Sequence, residues 1–211
     1  MMLAENSGGS GETVYLSVIG LRSGAPASIG TIAVGDRTKI VTFGISGAAV
    51  VMEVIEAGPN DPACCPTQVA TKVYALEGGD LKLKGSEAKG TLSVALFAGA
   101  EWTAVEIDGV PIPEGDRQPT AAVAGDRLAG FGGCNRYTAQ IRELSPGEIA
   151  IGPVAGTRMA CPEAEMQLEN RFLTSLGKAV RYSFLAGRLV LSGTDGDTMR
   201  SVLLTREQPH R

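Results

Sequence analysis

Trp102-Thr103-Ala104-Val105-Glu106-Ile107-Asp108-Gly109-Val110-Pro111-Ile112 shows the pattern that governs the chain: a short run, a two-residue turn and a second run. Asp-Gly between two extended segments marks a tight hairpin, because both central residues must take positive φ. C-terminal to it, strands are expected around 120–124, 127–131, 136–142 and 148–151. Arg181 to Leu185 and Arg188 to Ser192 form a hairpin over Ala186-Gly187, and Met199 to Thr205 reads as the last strand. One segment departs from this rhythm. Leu168, Phe172 and Leu176 recur every four residues, with Leu173 widening the stripe, which is the period of a helix with one buried face. Pro162 suits the first helical position, Glu163 and Glu165 complement the positive helix end, and Gly177 is a natural stop, so a helix is expected over about 162–177.

Towards the N-terminus the reading is β throughout. Val14 to Ile19, Ile29 to Val34, Lys39 to Ile45 and Val50 to Ile55 are short runs rich in branched residues, the last two meeting across Ser46-Gly47. Gln68 to Leu76 and Leu81 to Lys84 flank Gly78-Gly79. The run 58–67 contains Pro59, Pro62 and Pro66 and reads as a loop. Small residues fill 85–100, with a strand-like tendency from Leu92, Val94, Leu96 and Phe97. Lys82, Lys84 and Lys89 close a lysine-rich half, whereas every basic residue after 99 except Lys178 is arginine, which puts a boundary near 98. The expected fold is mainly β (α+β). It has two small antiparallel domains, 1–98 and 99–211, and the single helix packs in the second.

Composition narrows the function. Of 211 residues, 44% are hydrophobic and 20% charged, so the chain can build a core, and no apolar run reaches the ~20 residues that span a bilayer. A net charge of −4 argues against a nucleic-acid partner, since phosphate binding rests on a basic surface. The one histidine, His210, is penultimate, which leaves no imidazole in the body of the fold for a Ser-His-Asp triad, a Cys-His pair or a histidine metal site. Four cysteines at 64, 65, 134 and 161 match no zinc spacing and leave free thiols and disulfides equally open. The first ten residues lack the charged and apolar regions of a signal peptide. The chain is then either cytosolic or an exported protein whose leader was removed, with an N-terminal domain that starts within a longer one.

Several motifs have ordinary explanations. Gly-Asp-Arg occurs at 35, 115 and 125, each time where a turn is expected, and Asp195-Gly196-Asp197 reads as a hairpin turn rather than a calcium loop. No acid/base carboxylate pair stands out. Cys64-Cys65 reads first as structural, either small buried thiols or a static bridge. Its functional alternatives are a vicinal disulfide, a redox switch or soft-metal capture.

The most specific stretch is Gly130-Phe131-Gly132-Gly133-Cys134-Asn135-Arg136-Tyr137, followed by Thr157-Arg158-Met159-Ala160-Cys161-Pro162 and then Glu169 and Phe172-Leu173 on the helix. This order resembles the META/HslJ domain, over about 102–205. Trp102 on the first strand and Leu189 and Leu191 near the end also fit. The resemblance implies a small antiparallel β structure with one packed helix, and no family reaction. It also implies a bacterial secreted or outer-membrane-linked setting, associated with heat shock, antibiotic tolerance or virulence. It further suggests that Cys134 and Cys161 are neighbours able to form a disulfide.

Gly132 and Gly133 are expected to let the chain turn sharply, and Asn135 to take a left-handed conformation or bond its own loop. Glu169 borders the apolar stripe and should need a partner, with Arg158 first and Arg136 second. Residues 58–67 resemble a segment of uncharacterised bacterial envelope proteins and lipoprotein-like chains, which implies a lipid anchor or export in a full-length precursor.

The expectation is therefore a non-catalytic periplasmic or outer-membrane-associated protein that binds an envelope protein or small ligand, without cofactor or metal. The alternative is a thiol redox or metal-responsive protein using Cys64 and Cys65, and the alternative location is the cytoplasm.

Overall fold

The computed structural model describes residues 2–6 (backbone only), 12–62, 64–113 and 117–206. His210 and most of the second Gly-Asp-Arg copy lie outside the described residues. The chain divides into two compact units between Leu92 and Ser93, six residues before the boundary expected from composition. Segment 93–98 belongs to the second unit for a physical reason. Phe97 is 2% exposed, stacks edge-on against Tyr182 at 5.1 Å, and its carbonyl accepts from Trp102 Nε1 at 3.0 Å.

The first unit has two antiparallel sheets. One contains β1 (Met2–Asn6), β2 (Thr13–Arg22) and β3 (Ala25–Asp36), in that order. The other contains β4 (Lys39–Ser46), β5 (Ala49–Glu56), β6 (Gln68–Glu77) and β7 (Asp80–Thr91), also in sequence order. A single cluster joins Val14, Leu16 and Val34 of the first sheet to Val50, Met52, Val54 and Tyr74 of the second, so the two inner faces make one core. On β5, Val50, Met52 and Val54 alternate inward, as the period of a strand requires, until Ile55, which is buried as well. Lys72 is buried in this core. Its Nζ donates to Val34 O at 3.0 Å and lies 2.6 Å from Glu56 Oε2, which gives the charge a partner away from water.

Two strands exceed the sequence expectation. β1 arises from residues to which the sequence assigns no element, pairing Met2 with Ser17 and Asn6 with Thr13. β7 continues through 85–91 although every side chain there is exposed, because its backbone pairs with β6 from Val73 to Gln68.

The second unit opens on a 3₁₀ turn, Val94–Leu96, and continues with β8 (Glu101–Ile107), β9 (Val110–Pro111), β10 (Thr120–Ala124), β11 (Arg127–Phe131), β12 (Arg136–Ser145), β13 (Glu148–Ile151), β14 (Ala155–Gly156), α1 (Glu163–Gly177), β15 (Ala179–Leu185), β16 (Arg188–Asp195) and β17 (Thr198–Thr205). The order β10-β11-β12-β13-β15-β16-β17-β8 returns to β10 through Thr120–Ala122 and Glu101–Thr103, which closes an antiparallel barrel. Closure removes the unpaired edges an open sheet would present. Trp102, Ile107, Leu128, Ile149, Phe184, Leu189, Leu191 and Leu204 are buried, each at an inward position of its strand.

Helix α1 packs on β8, β16 and β17, burying Phe172, Ser175 and Leu176. Pro162 caps this helix from an extended conformation (φ −50°, ψ 145°) instead of being its first residue. Gly177 stays helical, and the chain leaves at Lys178.

Candidate functional site

The motif residues meet where the β11–β12 turn faces α1. The turn is closed by Gly132 N donating to Asn135 O at 2.7 Å. The two glycines have different duties. Gly133 sits at φ +116°, which side-chain-bearing residues rarely adopt, whereas Gly132 is needed for space: a Cβ there would lie 2.8 Å from Glu169 Oε2. The sharp-turn expectation therefore holds for Gly133 only.

Asn135 is 6% exposed and has no left-handed backbone, contrary to the conformational option read from sequence. Its side chain joins three segments. Oδ1 accepts from Thr157 Oγ1 at 2.9 Å and Met159 N at 2.7 Å. Nδ2 donates to Glu169 Oε1 at 3.0 Å and Met159 O at 3.3 Å. Glu169 Oε2 accepts from Cys134 N at 3.2 Å and from Asn135 N.

The partner of Glu169 is thus the turn itself and not an arginine. Arg158 and Arg136 are exposed, and neither side chain has a hydrogen-bond or ion-pair partner among the described residues. A carboxylate accepting backbone N–H groups needs no counter-ion, since these donors stabilise the charge directly. Cys134 and Cys161 are disulfide-bonded with Cα atoms 5.9 Å apart, tying the same turn to the residue before Pro162. Met159 contributes only its backbone, its side chain being exposed.

Tyr137 follows the turn into β12 and is buried, its ring 5.7 Å edge-on from Phe172 of α1. Its hydroxyl donates to Thr120 O at 2.8 Å, and burial, helped by the Glu101 carboxylate, pushes the phenol well above its ordinary range. A shallow depression lined by Arg127, Arg136, Tyr137, Thr138 and Thr157 opens beside this cluster. Arg127 Nε donates to Thr138 Oγ1 at 3.1 Å. Chemically, the cluster fastens a turn, a loop and a helix together and offers a cationic rim.

A second hub escaped the sequence reading. Asp108, in the hairpin turn at φ +52°, accepts from Ser175 Oγ at 2.9 Å, Arg200 Nη1 at 2.9 Å and Ser201 N at 2.8 Å. Burial raises its carboxyl, but the Ser201 amide, the Arg200 guanidinium and the Ser175 hydroxyl outweigh that and hold it below the usual carboxylate range. The available signal was Ser175, a polar residue inside the helix's apolar stripe.

Cys64 and Cys65 lie in the first unit. Both are exposed and bonded to each other, so they are not the buried thiols that one structural reading allowed. Among the described residues no group of three or more His, Cys, Asp or Glu side chains is placed to hold a metal ion.

The sequence profile of the META domain matches residues 93–205, more than half of the chain. The chain belongs to the META domain family. The matched span begins where the second unit begins, so the META domain is the barrel with its helix. No curated protein matches the chain. A protein from Burkholderia xenovorans solved by NMR is similar at 23% identity and a TM-score of 0.43, covering 54% of this chain and 86% of that one. A second protein solved by NMR is similar at 19% identity and a TM-score of 0.44, with 55% and 95% covered.

Proposed function

We propose that this META-domain chain is a non-catalytic protein of the bacterial cell envelope, periplasmic or outer-membrane-associated, that binds an envelope partner or small ligand through its β surface and serves under stress such as antibiotic exposure. The observation that carries this reading is the use to which the motif is put. Asn135, Glu169, Thr157 and the Cys134–Cys161 bridge all spend their bonding capacity on one another. They fasten the turn, the 157–161 loop and α1 into a rigid platform beside the depression rimmed by Arg127 and Arg136. Disulfides persist in oxidising compartments, which supports the envelope over the cytoplasm.

Fractionation of cells expressing the full-length precursor tests the location, and the protein should appear in the periplasmic or outer-membrane fraction with Cys134 and Cys161 oxidised. A pull-down from that fraction should retain a partner that is lost with Arg127→Glu/Arg136→Glu while the fold is kept. Turnover of a defined substrate that survives purification and depends on a motif residue would overturn the reading.

A further inference from the structure

Cys64 and Cys65 sit in an exposed loop of the first unit that does not depend on their bond for its shape. Asp61 ties the loop's two ends together. Its Oδ2 accepts from Gly58 N at 2.8 Å and Thr67 N at 2.6 Å, and its Oδ1 from Thr67 Oγ1 at 2.8 Å. Within the loop Cys65 N donates to Pro62 O at 3.0 Å, and Pro62 and Pro66 bracket the cysteines with fixed φ. The frame therefore stays closed whether the two sulfurs are joined or not.

The two bridges of this chain contrast strongly. Cys134 is 1% exposed, and its bridge to Cys161 spans a Cα separation of 5.9 Å, inside the usual range of about 4.4–6.8 Å. Cys64 and Cys65 are both exposed, and as neighbours in sequence their bridge closes no loop of chain. Exchange needs a thiolate to reach a sulfur, and exposed bridges are the ones a reductant reaches first.

We propose that Cys64–Cys65 is a solvent-facing dithiol–disulfide couple whose reduced form chelates soft, thiophilic ions. The site is separate from the META domain and independent of the envelope reading. In the forward step a thiolate of an external dithiol attacks one of the two sulfurs. The Cys64–Cys65 bond breaks, and its electron pair leaves on the other sulfur, which takes a proton. The reagent's second thiolate then displaces the protein sulfur from the mixed disulfide. Two electrons have passed to the protein, and the reagent departs as a cyclic disulfide. The two thiols, on adjacent residues of a pinned loop, can then bind one soft ion together. With phenylarsine oxide two As–S bonds form, and the two thiol protons leave with the oxide oxygen as water.

The test treats the folded full-length chain with rising dithiothreitol, traps free thiols by alkylation and reads each cysteine by peptide mass. Cys64 and Cys65 should become labelled together at a reductant concentration at least about tenfold below that needed for Cys134 and Cys161, with the far-ultraviolet circular dichroism unchanged. The selectively reduced chain should then take up one equivalent of phenylarsine oxide. Oxidised chain and the Cys64→Ser/Cys65→Ser variant, whose fold is checked by the same spectrum, should take up none. Reduction of both bridges over the same range, prior reduction of Cys134–Cys161, unfolding on reduction of Cys64–Cys65, or no uptake of arsenic by the reduced chain would each overturn the proposal.

Discussion

Asn135 shows how one amide can specify a local structure. An amide offers both donor and acceptor, and here Oδ1 is met by Thr157 and Met159, while Nδ2 bridges Met159 O and Glu169. Asn135→Ala should lower stability by about 2–4 kcal/mol, because it strands several half-buried polar groups at once. Asn135→Asp should cost at least as much, although it is nearly the same size, since it sets a second carboxylate against Glu169 and removes its donor. Denaturant midpoints of the two variants check this, and an Asp variant as stable as the parent would refute the role assigned to Glu169.

Asp108 makes a different prediction, one of pH. Its folded pKa lies below the unfolded value of about 3.9, so it stabilises the fold fully above that value and its contribution disappears as pH falls through the folded pKa. Asp61 is held low in the same direction by the Gly58 and Thr67 amides. Unfolding midpoints should therefore drop on acidification below about pH 4, and Asp108→Asn should make that decline shallower. An unchanged acid slope in the variant would exclude Asp108 as a contributor.

At the scale of elements, glycine placement and helix packing decide what the barrel tolerates. Gly130 on β11 passes so near β10 that a Cβ would stand 2.1 Å from Thr120 O, the carbonyl that also receives the Tyr137 hydroxyl. Backbone cannot yield as a flexible side chain can, so Gly130→Ala should destabilise more than Gly125→Ala, whose Cβ meets nothing within 4 Å and which carries only the strain of its +61° φ. Phe172→Ala should cost about 3–5 kcal/mol, since the ring is fully buried between α1 and Tyr137.

These elements were legible to different degrees. The hairpins over Asp108-Gly109, Gly78-Gly79 and Ala186-Gly187 follow from local turn chemistry, and α1 from its Leu168-Phe172-Leu176 period. The second half of β7 was not legible, because residues that bury no face carry no periodic signal, and β1 is defined here by its backbone pairing with β2. The partner of Glu169 was hidden for a related reason. Two of its donors are the backbone amides of Cys134 and Asn135, 35 and 34 residues away along the chain, and the third is the Asn135 side chain, which only the folded turn brings to it.

For the molecule as a whole, the consequence of two cores is two folding units. Residues up to Leu92 bury Leu16, Met52, Val54 and Tyr74 in a cluster made wholly of their own side chains. The META barrel from Ser93 onward closes its own hydrogen-bond circuit and carries its own bridge between Cys134 and Cys161. A domain with a separate core and no dependence on a neighbour's strands can unfold by itself. A chain cut between Leu92 and Ser93 should therefore leave a C-terminal fragment that folds cooperatively with the disulfide intact. Its calorimetric transition should coincide within a few degrees with one of two transitions in the full chain. Removing the bridge by Cys134→Ala/Cys161→Ala frees a loop of 27 residues, worth about 3–4 kcal/mol in the chain-entropy account. Only the transition shared with the fragment should move, and it should move down. A single transition in the full chain that shifts as one in the double variant would show instead that the two units fold as one cooperative body.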